Sequence, residues 1–217
     1  MELYEAMSSL RAVRRLKSDP IPVDVLKKVL EAASWAPTGG NVQPFRIVCV
    51  TEDDSKTALQ GWYHEEWHKY TQANRRALAG VPDEMKVKTE KMLRAGDYLA
   101  DHMHEAPVLL VFCFNPSAMA ITDSGLDRPS IVGGASVYTS VENLMLACRA
   151  EGLGCVLTTL LCYKEKQVKK LLNIPDDWGT CACVPVGYPV LKGHGPLARR
   201  PLNKLVYMNS WNNSYSA

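Results

Sequence analysis

The sequence predicts an α+β domain built around a mixed or antiparallel core sheet. Three observations carry this. Apolar patterns of helical period outnumber the strand-like runs, and they separate those runs from one another. No G-x-G-x-x-G follows a strand and no G-x-x-x-x-G-K-[ST] occurs, which disfavours a doubly wound dinucleotide-binding fold and a P-loop. The chain of 217 residues, 47% hydrophobic and 22% charged, has ordinary globular composition and is long enough to bury a sizeable core as a single domain over 1–217.

The elements follow in order. From Asp24 to Ala33, Val25, Leu26, Val29, Leu30 and Ala33 recur at spacings of three and four, with Lys27, Lys28 and Glu31 outside the stripe. Pro22 and Asp24 supply a start, and Pro37 with Gly39 and Gly40 an end. Phe45 to Val50 (FRIVCV) is a strand rich in β-branched residues. Ser55 to His104 is charged and helix-forming, carries Trp62, Tyr63, Trp67, Tyr70 and Tyr98, and is broken at Gly80, Val81 and Pro82. Val108 to Phe114 is a buried strand and Asn115 to Gly134 a loop. A second strong helix covers Ala135 to Ala150, with Val137, Val141, Leu144, Met145 and Cys148 on one face. Gly152 and Gly154 cap it. A short strand at Cys155 to Thr158, a helix at about Lys164 to Leu172 and a strand at Cys181 to Val186 complete the pattern, and a basic tail rich in Gly and Pro follows.

Charge and motif content exclude several functions. With 25 Lys+Arg against 23 Asp+Glu, the net charge of +2 gives no support for nucleic-acid binding. No apolar run reaches the roughly 18 residues a membrane helix needs. The opening MELYEAMSSLRAVRRL lacks a basic flank before an apolar core, so a cytoplasmic location is expected rather than secretion. Of the seven Cys, Cys113, Cys148 and Cys155 sit in apolar runs, while Cys181 and Cys183 form C-x-C near Cys162. Without a C-x-x-C, reduced structural thiols are expected. His64 and His68 are four apart and His102 and His104 two apart; zinc needs a third ligand that the sequence does not supply, so no metal is expected.

Three pieces could carry chemistry. Arg11-Ala12-Val13-Arg14-Arg15, read as a helix or its end, puts Arg11 on the face of Arg14 and Arg15. Clustered guanidiniums suit a phosphate, although a solvated basic face reads the same way. Ala36 to Phe45 (APTGGNVQPF) is a polar turn whose Asn41 and Gln43 offer donors and acceptors, and whose Gly39 and Gly40 let a ligand approach the backbone. Gly152 to Leu160 (GLGCVLTTL) alone is a helix cap and a buried strand.

In this order and spacing, LRAVRRLKSDPIP, AAxxAPTGGNVQPFRIVCV, GASVYTSVENLMLACRAEGLGCVLTT, CVPVGYP and LARRPLNKLV resemble the nitroreductase family of flavoproteins over nearly the whole chain. The APTGGNxQP block is the most specific piece. The resemblance implies a three-layer fold with a central, mainly antiparallel sheet flanked by helices, and FMN held at a homodimer interface. Arg11, Arg14 and Arg199 match the phosphate-binding positions. Pro37, Thr38, Gly39, Asn41 and Gln43 match the loop that the partner subunit contributes, and Leu157, Thr158 and Thr159 the strand edge near flavin N5. The family often has Arg where Leu10 stands, Ser at Ala12 and Trp at Phe45, so Arg15 or Arg200 is expected to compensate around the phosphate.

The implied activity is ping-pong hydride transfer from NAD(P)H to a nitroaromatic, quinone or activated alkene. Thr159, or Thr158, offers a hydrogen bond near N5. A helical lid at about 61–101 is expected to stack a small planar or aromatic acceptor on the flavin through Trp67, Tyr70 and Tyr63. One branch of the family, the tyrosine deiodinases, holds a zwitterion with a Glu, Tyr, Lys trio; Glu66, Tyr70 and Lys91 have compatible spacing. Reductive dehalogenation and non-catalytic flavin binding therefore stand as alternatives.

Overall fold

A computed structural model describes residues 1–80 and 82–216. Strand β2 (Val108–Phe114) organises it. The strand is apolar throughout. Alternation sends Leu109, Val111 and Cys113 to one face and Val108, Leu110 and Phe112 to the other, and both faces are buried. On one side β1 (Phe45–Val50) pairs with it from Phe45 opposite Phe114 to Val50 opposite Leu109. On the other side β4 (Gly179–Gly187) pairs with it, with a register shift at Phe112 and Cys113, and the two-residue β3 (Gly154–Cys155) extends β4. The order is β1-β2-β4-β3 and every pairing is antiparallel.

Helices close both faces, giving three layers. α2 (Val23–Ser34) and α5 (Tyr138–Ala150) bury Val29, Ala33, Val141, Leu144 and Cys148 on one side. α3 (Asp53–Ala77), α4 (Asp83–His102) and α6 (Glu165–Leu172) bury Leu59, Tyr63, Trp67, Leu93, Leu99 and Val168 on the other. A short α1 (Leu3–Ser9), which periodicity did not reveal, lies against α5. The expected break between α3 and α4 is present, as a 3-10 turn at 78–80 and Pro82 ahead of α4; Val81 lies outside the described residues. All seven cysteines are unpaired thiols. No helix among the described residues is long and apolar enough to cross a membrane.

Three local expectations are corrected. The arginine segment is extended rather than helical: Ala12 bridges Cys155 in parallel, Val13 N–H donates to the Cys155 carbonyl at 2.9 Å, and Val13 and Leu16 plug into the core. Gly154 permits this approach, because a Cβ there would stand 2.7 Å from Val13 Cγ1. The helix expected from Ala135 begins at Tyr138, after a 3-10 turn over Val132–Ser136. The short strand ends at Cys155, and Thr158 makes a separate bridge to Cys183.

Candidate functional site

The extended backbone from Leu10 to Leu16 sorts the arginines. Val13 and Leu16 turn inward, Arg11 points to solvent, Arg14 is half-buried, and Arg15 lies over the Tyr98 ring at 3.9 Å. The C-terminal tail returns beside this segment: Lys17 N–H donates to Tyr188 O at 2.8 Å, Val190 N–H to Arg15 O at 3.0 Å, and Gly195 N–H to Ser9 O at 3.1 Å. His194, buried, donates from Nε2 to Leu153 O at 2.8 Å, since a carbonyl can only accept. Burial pushes its pKa down, so the ring is a neutral pin. The result is a cavity of about 580 Å³ lined by Arg11, Arg14 and Arg199, with Ala12, Met145 and one carboxylate, Glu142, on its walls. Among the described residues none of the three arginines makes an ion pair. Arg15 and Arg200 do not line this cavity.

The 37–43 turn is held from behind and open in front. Ser136 Oγ accepts from Gly39 N–H at 3.1 Å, Thr139 Oγ1 donates to Pro37 O at 3.3 Å, and Thr38 Oγ1 accepts from Gln43 N–H at 3.0 Å. Gln43 Nε2 donates to Asn41 Oδ1 at 3.2 Å. Gly40, Asn41 and Gln43 have φ of 58°, 55° and 50°. Left-handed backbone at two non-glycine residues is strain of about 1 kcal/mol or more each, a feature that clusters at ligand clamps. From Gly39 to Gln43 the turn is exposed.

Alternation settles the 157–159 edge. Leu157 and Thr159 face solvent, whereas Thr158 is buried. Its backbone is tied both ways to Cys183, at 3.0 and 2.8 Å. Tyr63 is buried nearby, and burial raises its pKa against the opposing pull of Thr158 and Arg14.

The aromatic lid expectation is corrected for two of its three rings. Tyr63 and Trp67 are core residues, not rings open to an acceptor. Trp67 donates from Nε1 to Asp97 Oδ1 at 2.7 Å and packs its indole ring against Gly96 of α4. Only Tyr70, 61% exposed, is available at the surface. The fully buried positions end at Thr71 on α3 and resume at Leu93 on α4; between them Leu78 still packs, partly buried, against the core. The trio Glu66, Tyr70 and Lys91 is not assembled. Glu66 faces Lys69 at 2.9 Å and Lys164 at 3.3 Å, and Lys91 is exposed.

Sequence reasoning missed Asp123, which is buried and organises the 121–132 loop. It accepts from Ile131 N–H at 2.9 Å, Ser130 Oγ at 2.7 Å and Arg128 Nη1 at 2.8 Å. Those bonds, the Ile131 amide first, hold its pKa down at about 2. The run DSGLDRPS is rich in turn-forming types but does not say which carboxylate turns inward.

Three guanidiniums gathered on one cavity of a three-layer α+β fold form a donor set of the kind that suits an anion. The chain belongs to the nitroreductase family, a family of flavoproteins, whose model matches residues 8–188. It is 28% identical over 207 residues to iodotyrosine deiodinase 1 of Rattus norvegicus, spanning 94% of this chain and 68% of that protein. It is 27% identical over 196 residues to an NADH dehydrogenase of Thermus thermophilus, spanning 90% of each. Among solved structures, oxidized iodotyrosine deiodinase bound to FMN and 3-iodo-L-tyrosine superposes with a TM-score of 0.69 at 24% identity, covering 96% of this chain and 99% of that one.

Proposed function

We propose that the protein is an FMN-dependent oxidoreductase that takes electrons from NAD(P)H and passes them to a small planar or aromatic acceptor such as a nitroaromatic, quinone or activated alkene. The observation that carries this reading is the convergence of Arg11, Arg14 and Arg199 on one cavity without an ion-pair partner among the described residues. Three guanidinium forks match a phosphate dianion in charge and in donor geometry, so the donor set fits the group. When bound, FMN supplies hydride acceptance at N5 and its return to a second substrate.

The chain's own residues bind and orient. Arg11, Arg14 and Arg199 hold the phosphate, and Ala12 leaves room between them. Pro37, Thr38, Gly39, Asn41 and Gln43 form one wall, with the side-chain amides of Asn41 and Gln43 as its polar groups, on a turn already fixed in its strained shape, so little ordering cost falls on binding. Leu157 offers an apolar surface, and the exposed Thr159 is the hydroxyl available at the edge, because Thr158 is buried. The reading includes a homodimer. The 37–43 turn and the exposed Trp35, Val42 and Ile131 are apolar or polar surface that a second copy would cover. It also assigns acceptor choice to the hairpin tip with Tyr70, and a cytoplasmic location.

Reductive dehalogenation is a second reading, favoured by the deiodinase relative and by Glu66 and Tyr70 lying one turn apart. It ranks lower because Lys69 and Lys164 occupy Glu66.

One set of measurements tests these readings. The purified protein is expected to be yellow, to bleach with anaerobic NADPH or NADH, and to recover colour with nitroaromatics and quinones. Halide release from a halotyrosine under reductant would favour the second reading; colour without bleaching would favour a flavin store. Arg11→Ala is expected to lose about 1.5–3 kcal/mol of FMN affinity, roughly tenfold to a hundredfold. A colourless protein that does not quench FMN fluorescence would overturn all of them.

A further inference from the structure

The α3–α4 pair brings together donors that the sequence holds apart. His64 and His68 lie one turn apart on α3, and Asp101 comes from the facing turn of α4. His64 Nε2 is 3.1 Å from His68 Nε2 and 3.3 Å from Asp101 Oδ1, and one donor atom from each of the three residues lies within 4.8 Å of the others. An ion bound at about 2.0–2.1 Å in tetrahedral geometry holds adjacent donors about 3.3 Å apart, and cis donors in an octahedron about 2.9 Å apart. Both short spacings fall in that range. Two imidazoles and a carboxylate are a donor set suited to zinc and neighbouring first-row ions. The side chains of His64 and Asp101 are 42% and 53% exposed, which leaves an entry path and open positions for water. A second carboxylate, Asp97, lies near His68 but is held by Trp67 and Arg75; it adds negative potential without being a ligand.

We propose that His64, His68 and Asp101 bind one divalent transition-metal ion, zinc being the representative, and that the ion ties α3 to α4 on the outer side of the hairpin. The site is separate from the arginine cavity and independent of the flavin reading. The third ligand that the His pair lacks in sequence is supplied by α4.

The test uses tag-free full-length protein, stripped with a chelator and titrated with zinc alone by calorimetry, then with cobalt for its visible bands. One saturable equivalent tighter than about 100 µM is expected, together with a metal-dependent rise in melting temperature. His68→Gln is expected to weaken binding by at least about tenfold and to abolish the rise, Asp101→Asn to weaken it by about tenfold, and His102→Ala, outside the cluster, to change neither. Circular dichroism of the metal-free variants establishes that they fold. Absence of a saturable equivalent, undiminished binding by His68→Gln, or loss of binding on His102→Ala would each overturn the proposal. Flavin content enters none of these readouts.

Discussion

Replacing Gly96 by Ala sets helix propensity against packing, and the structure says which wins. Gly96 lies inside α4, where Ala is the better helix former by about 1 kcal/mol. A methyl group there would stand 2.0 Å from Cζ2 and 2.3 Å from Cη2 of Trp67, far inside van der Waals contact at about 3.5–4 Å. The indole cannot swing away freely. It is 8% exposed in the core, and its Nε1–H is bonded to Asp97. Overpacking costs about 1–3 kcal/mol. Breaking a hydrogen bond to a carboxylate adds about 1.5–3 kcal/mol. After the propensity gain, Gly96→Ala should destabilise by about 1.5–5 kcal/mol, lowering Tm by roughly 3–20 °C in a domain of this size. Guanidinium unfolding followed by circular dichroism reads this as a lower midpoint at unchanged slope. Trp67→Phe in the Gly96→Ala background removes the clashing ring, so the double-mutant cycle should show coupling of about 1 kcal/mol or more. If Gly96→Ala is as stable as the parent or more so, the indole does not rest on this glycine, and the account of how α3 is seated on α4 is wrong.

Other outcomes follow from single side chains. Asp123 has a folded pKa of about 2 against about 3.9 in an unfolded chain, so its stabilisation is complete above about pH 4 and is lost as pH falls through about 2. A carboxyl carbon NMR titration should show that low midpoint, and Asp123→Asn should open the 121–132 loop to proteolysis at neutral pH. Glu165 Oε1 accepts from Thr180 N–H at 2.6 Å and joins α6 to β4. Glu165→Ala should cost about 1–3 kcal/mol in equilibrium unfolding, and Glu165→Gln, which keeps the acceptor, much less. Iodoacetamide at neutral pH should alkylate the exposed Cys49 and Cys162, slowly because partial burial raises both thiols. It should spare Cys113 and Cys183, which burial pushes up to about 11 and about 12, as peptide mass spectrometry would show.

Much of the fold was legible because its determinants are local. FRIVCV and VLLVFCF are strands by composition and length, and both have the expected bounds. Breakers at 37–40 and 80–82 separated the elements, and the α2 and α5 stripes named the residues that face the sheet. Residue type singled out the cluster of Arg11, Arg14 and Arg15; only the resemblance to the nitroreductase family linked Arg199 to it, and Arg11, Arg14 and Arg199 line one cavity.

What the sequence could not decide was which faces meet. Arg11 to Arg15 looked helical because spacing on an isolated helix brings arginines together; docking on β3 stretched the segment and turned Arg15 away to Tyr98. Tyr63 and Trp67 have a composition that suits a lid as well as a core. Only the packing of α3 against Gly96 and the sheet buried them and left Tyr70 outside. The carboxylate beside His64 lies 37 positions further on, in another helix, and no spacing rule links the two. Local pattern is fixed by neighbours along the chain, so the sequence by itself determined the main helices and strands and their apolar faces. Burial and the meeting of distant side chains depend on how those elements stack, and that was decided only when both faces of β2 had to be covered.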